Sequence, residues 1–583
     1  MCDAILLHLC LTRPEAGQSY TLFGFAQFVE ALALLILVFN LADPRARFRA
    51  LITPLPLLPI TFGSIAAIGI GTLVTDVWID QRWPALPWGW SRVEIDAGFG
   101  IWFLSLVLVW IAVSYVWPPR FGSLNHRRFL IGVYRATVRG SDTELPVVLS
   151  EIQRSMETLV DVAGRMPRRD PNDENQVPPF VESANHILLT LGSRKVSRHV
   201  VATVPELAIM AMTIASERMA RHPGSSAPGA LAQFARNVSL EALLNPDSGV
   251  YHEDSGFESG MIGYTRPFSR ALYADYRLVE SLGSGGRSPL DLDYEFFETC
   301  TPAQFERYCH IVHMTCSTYI AQGYTEHSFV LHRAFGNLER GVDRLYTLNG
   351  TESGSAMSPE SAKLFAIMRL VSSLIDEIGK VKGFPLGRVR RPKPNMPPGN
   401  GHDDGLIDLI VNLLFKIIEE AAAVRAPPDR AWSIHYISIW SQLFGLRRSP
   451  VWRIVQRKLC RHLYEEIKGI ERFPNYVNAK VLGFCLHVLG LRHGRRNVAF
   501  DRPTVPFREA VLAWTKRHYM AFRAATNDGV GEASLAGNIT FDSRRRELVQ
   551  TGFQGLHKQP PRHAFKLDPA PRQRRLQKAA SGS

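Results

Sequence analysis

Four residues in the run 308–316 have side chains that ligate metals: Cys309, His310, His313 and Cys316. Thiolate and imidazole are ligands that suit Zn2+, and a tetrahedral site needs four donors. On a helix Cys309, His313 and Cys316 share one face, and Cys300 is a nearby further donor. The same face runs from Phe305 and Val312 to Tyr319 and Ile320, which is the stripe of a packed core. Core packing is the expected role, with zinc the weaker alternative; no other cofactor is indicated.

A second group lies in the turn-rich segment around His252, Glu253, Asp254 and Glu258. Carboxylates beside an imidazole can bind a divalent cation or act as acid and base, and loops commonly display such groups. The Asp, Ser and Gly residues there are equally the chemistry of a solvated turn. Glu30 differs in kind, being a lone carboxylate inside an apolar stretch, where lost hydration is costly. It either rests near the headgroups or serves a partner or an ion path.

Arg194 with His199, and Arg457 with His462, have the Arg-to-His spacing of some helical ribonucleases. In a chain with 18 His and this much Arg, about five such pairs arise by chance, so the spacing carries no information. No G-x-x-x-x-G-K-[ST] loop, G-x-S-x-G elbow, H-E-x-x-H pair or Gly-rich dinucleotide turn occurs. This argues against the commonest ATPases, hydrolases and metalloproteases.

The elements that must position these groups are of two kinds. Three apolar stretches, 22–42, 50–75 and 97–117, contain Glu30 as their only charge. At about 1.5 Å per residue, about 20 helical residues cross a hydrocarbon core, so all three are read as transmembrane helices over 20–118, after a short extracytoplasmic 1–19. Arg45, Arg47 and Arg49 lie in the first connection, and Arg120, Arg127, Arg128 and Arg135 follow the third stretch. Asp76, Asp80, Glu94 and Asp96 dominate the second connection. Retention of positive charge on the cytoplasmic side predicts an N-out, C-in topology at the plasma membrane. Gly63, Ala67 and Gly71 recur every four residues in the second stretch, a small-residue face suited to helix packing and to assembly of copies. Pro54, Pro56 and Pro59 should make the start of that stretch irregular.

Beyond residue 118 apolar residues recur at three- and four-residue spacing, for example over 302–321, 358–380, 406–424 and 451–470. The fold class is therefore all-α: three transmembrane helices followed by a large helical cytoplasmic domain. That domain is read as a helical subdomain over 119–382, a Pro/Gly-rich basic linker over 383–405, a second helical subdomain over 406–541, and a basic disordered tail over 542–583.

Residues 1–117 carry a net charge of −2, whereas the whole 583-residue chain carries +13. The excess positive charge downstream suits anionic inner-leaflet lipids, worth about 1 kcal/mol per well-placed Lys or Arg. Nucleic acid is the weaker alternative, because no recognisable binding module is present. Seven scattered cysteines are too few for a disulfide framework and read as reduced thiols.

The function expected is an integral membrane protein whose helical cytoplasmic domain binds a partner or ligand at the inner leaflet, as a homo-oligomer in the lipid bilayer. An oligomeric channel or pore using Glu30 is the first alternative, and a membrane-tethered enzyme using the loop near Glu253 is the second.

Overall fold

The computed structural model describes residues 4–6, 9–11, 23–41, 44–81, 92–166, 177–222, 226–252, 267–284, 287–351, 358–381, 405–445, 449–492, 504–552 and 560–569. Among them 74% are helical and 3% are in strands, as an all-α chain requires. The chain divides into two compact units, 1–241 and 242–583.

In the first unit two helices are long and apolar enough to cross a membrane, over Leu57–Trp78 and Val93–Val116. The helix of the first apolar stretch, Phe25–Leu41, has 17 residues and falls short of that length, so the structure supports two such helices, not clearly three. The second stretch is broken where its prolines lie. Residues 50–52 end a separate helix, Pro44–Ile52, the backbone is non-helical over 53–56, and the long helix starts at Leu57. Proline lacks the N–H and crowds the preceding turn, which ends the first helix there.

The three N-terminal helices meet through aromatic rings over glycines. Phe28 lies against Gly69 and Phe99 against Gly71, where an added Cβ would sit 2.7 and 2.4 Å from ring carbons. Trp110 Nε1 donates to Thr61 Oγ1 at 2.9 Å.

The remainder of the unit packs as an ordinary helical core. Arg49 pairs with Glu151 at 2.5 Å, both largely buried, and its other nitrogen donates to the carbonyl of Ser114 at the π-helical end, Ala112–Val116, of the second long helix. Asn125 Nδ2 donates to Ile52 O at 2.8 Å and to Arg120 O at 2.9 Å. The Arg194–Thr203 and Pro205–Arg221 helices, bent by 105°, are together apolar enough for a broken span. Arg194 and Arg198 at their start pair with Glu241, and Val196, Val200, Leu207 and Met212 are buried within the unit, which places this pair in the packed core.

In the second unit Leu406–Ala421 is the hub, packed on Phe329–Arg340, Pro450–Gly469 and Tyr476–Leu489. Pro302–Ala321 packs on Pro359–Lys380. Local signals set the helix starts: Thr301 and Gln304 form a reciprocal capping box, as do Asn475 and Asn478. Helices on both sides of the expected 383–405 linker belong to this one unit, and residues 382–404 lie outside the described residues.

The expected 542–583 tail is corrected in part. Ile539–Asp542, Glu547–Thr551 and Arg562–Lys566 form an antiparallel three-stranded sheet, with Phe541 opposite Leu548 and Leu548 opposite Phe565. Ile539, Leu548 and Phe565 are buried, and Phe541 meets Tyr519 of the Val505–Ala525 helix at 5.6 Å between ring centroids. Only the last strand, Arg562–Lys566, is basic; the first two carry Asp542 and Glu547, and the Arg544–Arg546 run lies in the turn between them.

Candidate functional site

The groups singled out in the sequence are dispersed. Cys300, Cys309 and Cys316 are buried on or beside Pro302–Ala321, and burial pushes all three thiols above their ordinary range, so they stay protonated. His313 turns to a carboxylate: its Nε2 is 3.6 Å from Glu377 Oε2, which also accepts from Ser317 Oγ at 2.8 Å. Among the described residues no three His, Cys, Asp or Glu side chains gather closely enough to hold a metal.

His252 is exposed at the end of a short helix, 3.9 Å from Asp247; Glu253, Asp254 and Glu258 lie outside the described residues. Glu30 is exposed on Phe25–Leu41. Gly71 packs within the chain, whereas Gly63 and Ala67 are exposed, and a Cβ added at Gly63 would meet no other described segment within 4 Å. His462, half-buried, stacks flat on Phe415 at 4.0 Å.

What the second unit does assemble is a cleft of about 380 Å3 that no short motif announces. One wall comes from a π-helical segment, Ser433–Trp440. Its wider turn is a feature frequent at functional sites. Trp432, Tyr436 and Trp440, four residues apart, line the cleft, and Trp432 stacks on Tyr436 at 4.4 Å. The opposite wall carries Arg492, Arg508 and His563. Arg492 Nε donates to His563 Nε2 at 2.8 Å, and Arg508 donates to the Arg492 carbonyl. Among the described residues, the charged side chains in the lining are those of Arg492 and Arg508.

Beneath the aromatic wall is a buried histidine pair. His435 Nε2 lies 2.8 Å from Ala421 O, and a carbonyl only accepts, so that nitrogen carries the proton. His435 Nδ1 is then a bare lone pair and accepts from His487 Nδ1–H at 2.9 Å. His487 Nε2 is left as a lone pair with no partner, packed against Gly537, where an added Cβ would sit 2.5 Å away. Gly537 has φ +60° and cannot be exchanged without strain. Burial pushes His435 down to about 4, and burial with repulsion from His435 pushes His487 down to about 3. The pair is a rigid, uncharged support for the wall.

A second groove of about 730 Å3 lies along Pro450–Gly469. Arg453, Arg457 and Arg461, four residues apart, present a row of guanidinium groups beside Tyr464 and Phe507, and Arg461 Nε donates to Glu465 Oε1 at 3.0 Å. The start of Val505–Ala525 separates the two concavities, with Val505 and Arg508 on one and Phe507 and Ala510 on the other.

No family model matches the chain, and no match was found among curated proteins or solved structures. The geometry therefore carries the functional reading. The histidine pair, 52 residues apart in sequence, left no signal there; the four-residue spacing of Trp432, Tyr436 and Trp440 is the signal that could have pointed to the cleft, and the sequence reading passed over it.

Proposed function

We propose that this chain is an integral membrane protein whose helical domain binds an anionic ligand on the cytoplasmic side, as an anchored sensor. The lining of the 432–563 cleft supports the proposal: aromatic faces offer a planar group a stacking surface, and Arg492 and Arg508 bring guanidinium groups suited to negative charge. A phosphorylated compound with a ring, such as a nucleotide, has the matching chemistry. Leu57–Trp78 and Val93–Val116 serve as spans in this reading, with Phe25–Leu41 as a third. Arg45 and Arg47 in one connection, set against Asp76, Asp80 and Glu94 in the next, support N-out, C-in. The outward Gly63 and Ala67 offer a face for contact between copies in the bilayer.

The test is a tryptophan-fluorescence titration of the full chain in detergent with inorganic phosphate, pyrophosphate and a panel of nucleoside mono- and diphosphates. Saturable quenching is expected, weakened about tenfold or more by Arg508→Ala, since a charge-assisted hydrogen bond contributes about 1.5–3 kcal/mol. Absence of binding by every anion tested overturns the ligand reading.

A further inference from the structure

The chain that leaves the second long apolar helix exposes large apolar side chains where a soluble surface would carry polar ones. Trp117 is 76% exposed and Leu124 is 83% exposed. In the next helix, His126–Arg139, Ile131, Tyr134 and Val138 are also exposed. With Arg127 they are spaced by four, three and four residues, so they form one stripe, and Arg135 and Arg139 adjoin it. The opposite stripe is occupied. Phe129, Gly132 and Val133 are buried, Phe129 meets Phe48 at 5.9 Å, and Gly132 abuts Ile52.

The position of this helix limits what can cover its open face. It begins ten residues after Val116, where one long apolar helix ends. Arg128 turns to the start of the other, donating to the Pro54 carbonyl at 2.8 Å, three residues before Leu57. Asn125 ties the same corner together through Ile52 O and Arg120 O. The end of one long helix and the beginning of the other are thus fastened to His126–Arg139. Two spans that share a bilayer would place this helix at its surface.

We infer that His126–Arg139 lies in the headgroup layer of an anionic membrane, with Ile131, Tyr134 and Val138 in the acyl boundary and Arg127, Arg135 and Arg139 on lipid phosphates. A helix with an apolar stripe flanked by Arg is suited to lying in the plane of the interface, and a tyrosine ring suits the headgroup level. Each arginine near an anionic surface adds about 1 kcal/mol, so the attachment is salt-sensitive. Its buried face makes the helix a fixed strut between the bilayer and the packed helices of the first unit. The inference rests on reading Val93–Val116 as a span.

The test uses the full chain reconstituted in phosphatidylglycerol/phosphatidylcholine vesicles, with benzoylphenylalanine as a photocrosslinker replacing Tyr134, Ile101 or Tyr294. Ile101 lies in the long apolar helix, and Tyr294 is an exposed residue of the second unit. Lipid capture at position 134 is expected to approach that at 101 and to exceed that at 294 at least fivefold. It should fall at least threefold in pure phosphatidylcholine or when Arg127→Glu and Arg135→Glu are combined. Lipid capture at 101 with none at 134 overturns the inference while leaving the span intact. A covalent dimer formed through 134 overturns it in favour of contact between copies. Failure at 101 as well removes the span, and the inference falls with it.

Discussion

Leu406–Ala421 and the two long N-terminal helices are built from much the same apolar residues, and the structure disposes of them in opposite ways. In Leu406–Ala421 the large aliphatic side chains are buried, and the charges are gathered on the remaining face, where Lys416 pairs with Glu420 at 2.7 Å and Asp408 pairs with Lys458. Leu57–Trp78 and Val93–Val116 have no such face, and only 28% and 11% of their most apolar stretches are buried. Ile101 is 67% exposed and Leu104 is 58% exposed. At about 25 cal/mol per Å2 of apolar surface, leaving two such helices in water is untenable, so a nonaqueous neighbour must cover them. Abundance of apolar residues is thus a poor guide to membrane insertion; what separates the two regions is the presence of a charged stripe and of partners for the rest.

The sharpest way to break this contrast is to place the same charge in both regions. Leu414→Asp buries a carboxylate among aliphatic side chains and should cost about 5 kcal/mol or more, abolishing the cooperative unfolding of the second unit by circular dichroism. Leu104→Asp should leave the first unit's own cooperative unfolding in detergent unchanged and instead reduce membrane insertion. Equal effects from both would show that Leu104 is a core residue after all.

A smaller effect is expected where the long helix meets its own packed unit. Glu151→Ala leaves Arg49 buried without its carboxylate and should destabilise the first unit by about 3 kcal/mol, read by urea denaturation in detergent. Joint replacement, Arg49→Met with Glu151→Leu, should recover most of that loss, because no uncompensated charge remains.

The histidine pair gives the second unit an acid sensitivity. His435 and His487 are held at about 4 and 3, below the ordinary 6.5, so a falling pH protonates the unfolded chain first. Their contribution to stability is intact above pH 6.5 and is lost as pH falls toward 4. By pH 5 each histidine costs about 2 kcal/mol. His487→Phe should therefore lose less stability than the parent between pH 7.5 and 5.

Glu339 acts in the other direction and more weakly. Burial pushes it up to about 7, against the attraction of Lys416, so the folded unit is strained at high pH and gains stability as pH falls through 7. Glu339→Gln should raise the melting temperature slightly at pH 8 and leave it unchanged at pH 5.

Much of the architecture was readable from residue order. The helical class followed from three- and four-residue periodicity, and the break at 53–56 followed from Pro54 and Pro56. The first apolar stretch was less faithful: 21 residues without a break in composition fold as the 17-residue helix Phe25–Leu41, because chain composition does not fix where a helix ends. The sheet over 539–566 escaped notice because its strands hold one or two buried residues each, among basic neighbours that resemble a tail. The cleft was illegible for a different reason. Its walls come from 432–440, 487–492, 504–508 and 538–563, and only tertiary packing brings those segments together. The Cys309 face was read as a packed stripe from Phe305 to Ile320, with zinc the alternative, and Phe305, Cys309, Val312, Cys316, Tyr319 and Ile320 are buried.

The most direct trial of the whole account is alkaline carbonate extraction of membranes from cells expressing the full chain, followed by immunoblotting of pellet and supernatant. With Leu57–Trp78 and Val93–Val116 embedded in lipid, the intact chain stays in the pellet and is freed only by detergent. Its appearance in the carbonate supernatant would contradict the account, since helices covered by another protein rather than by lipid would be stripped at that pH.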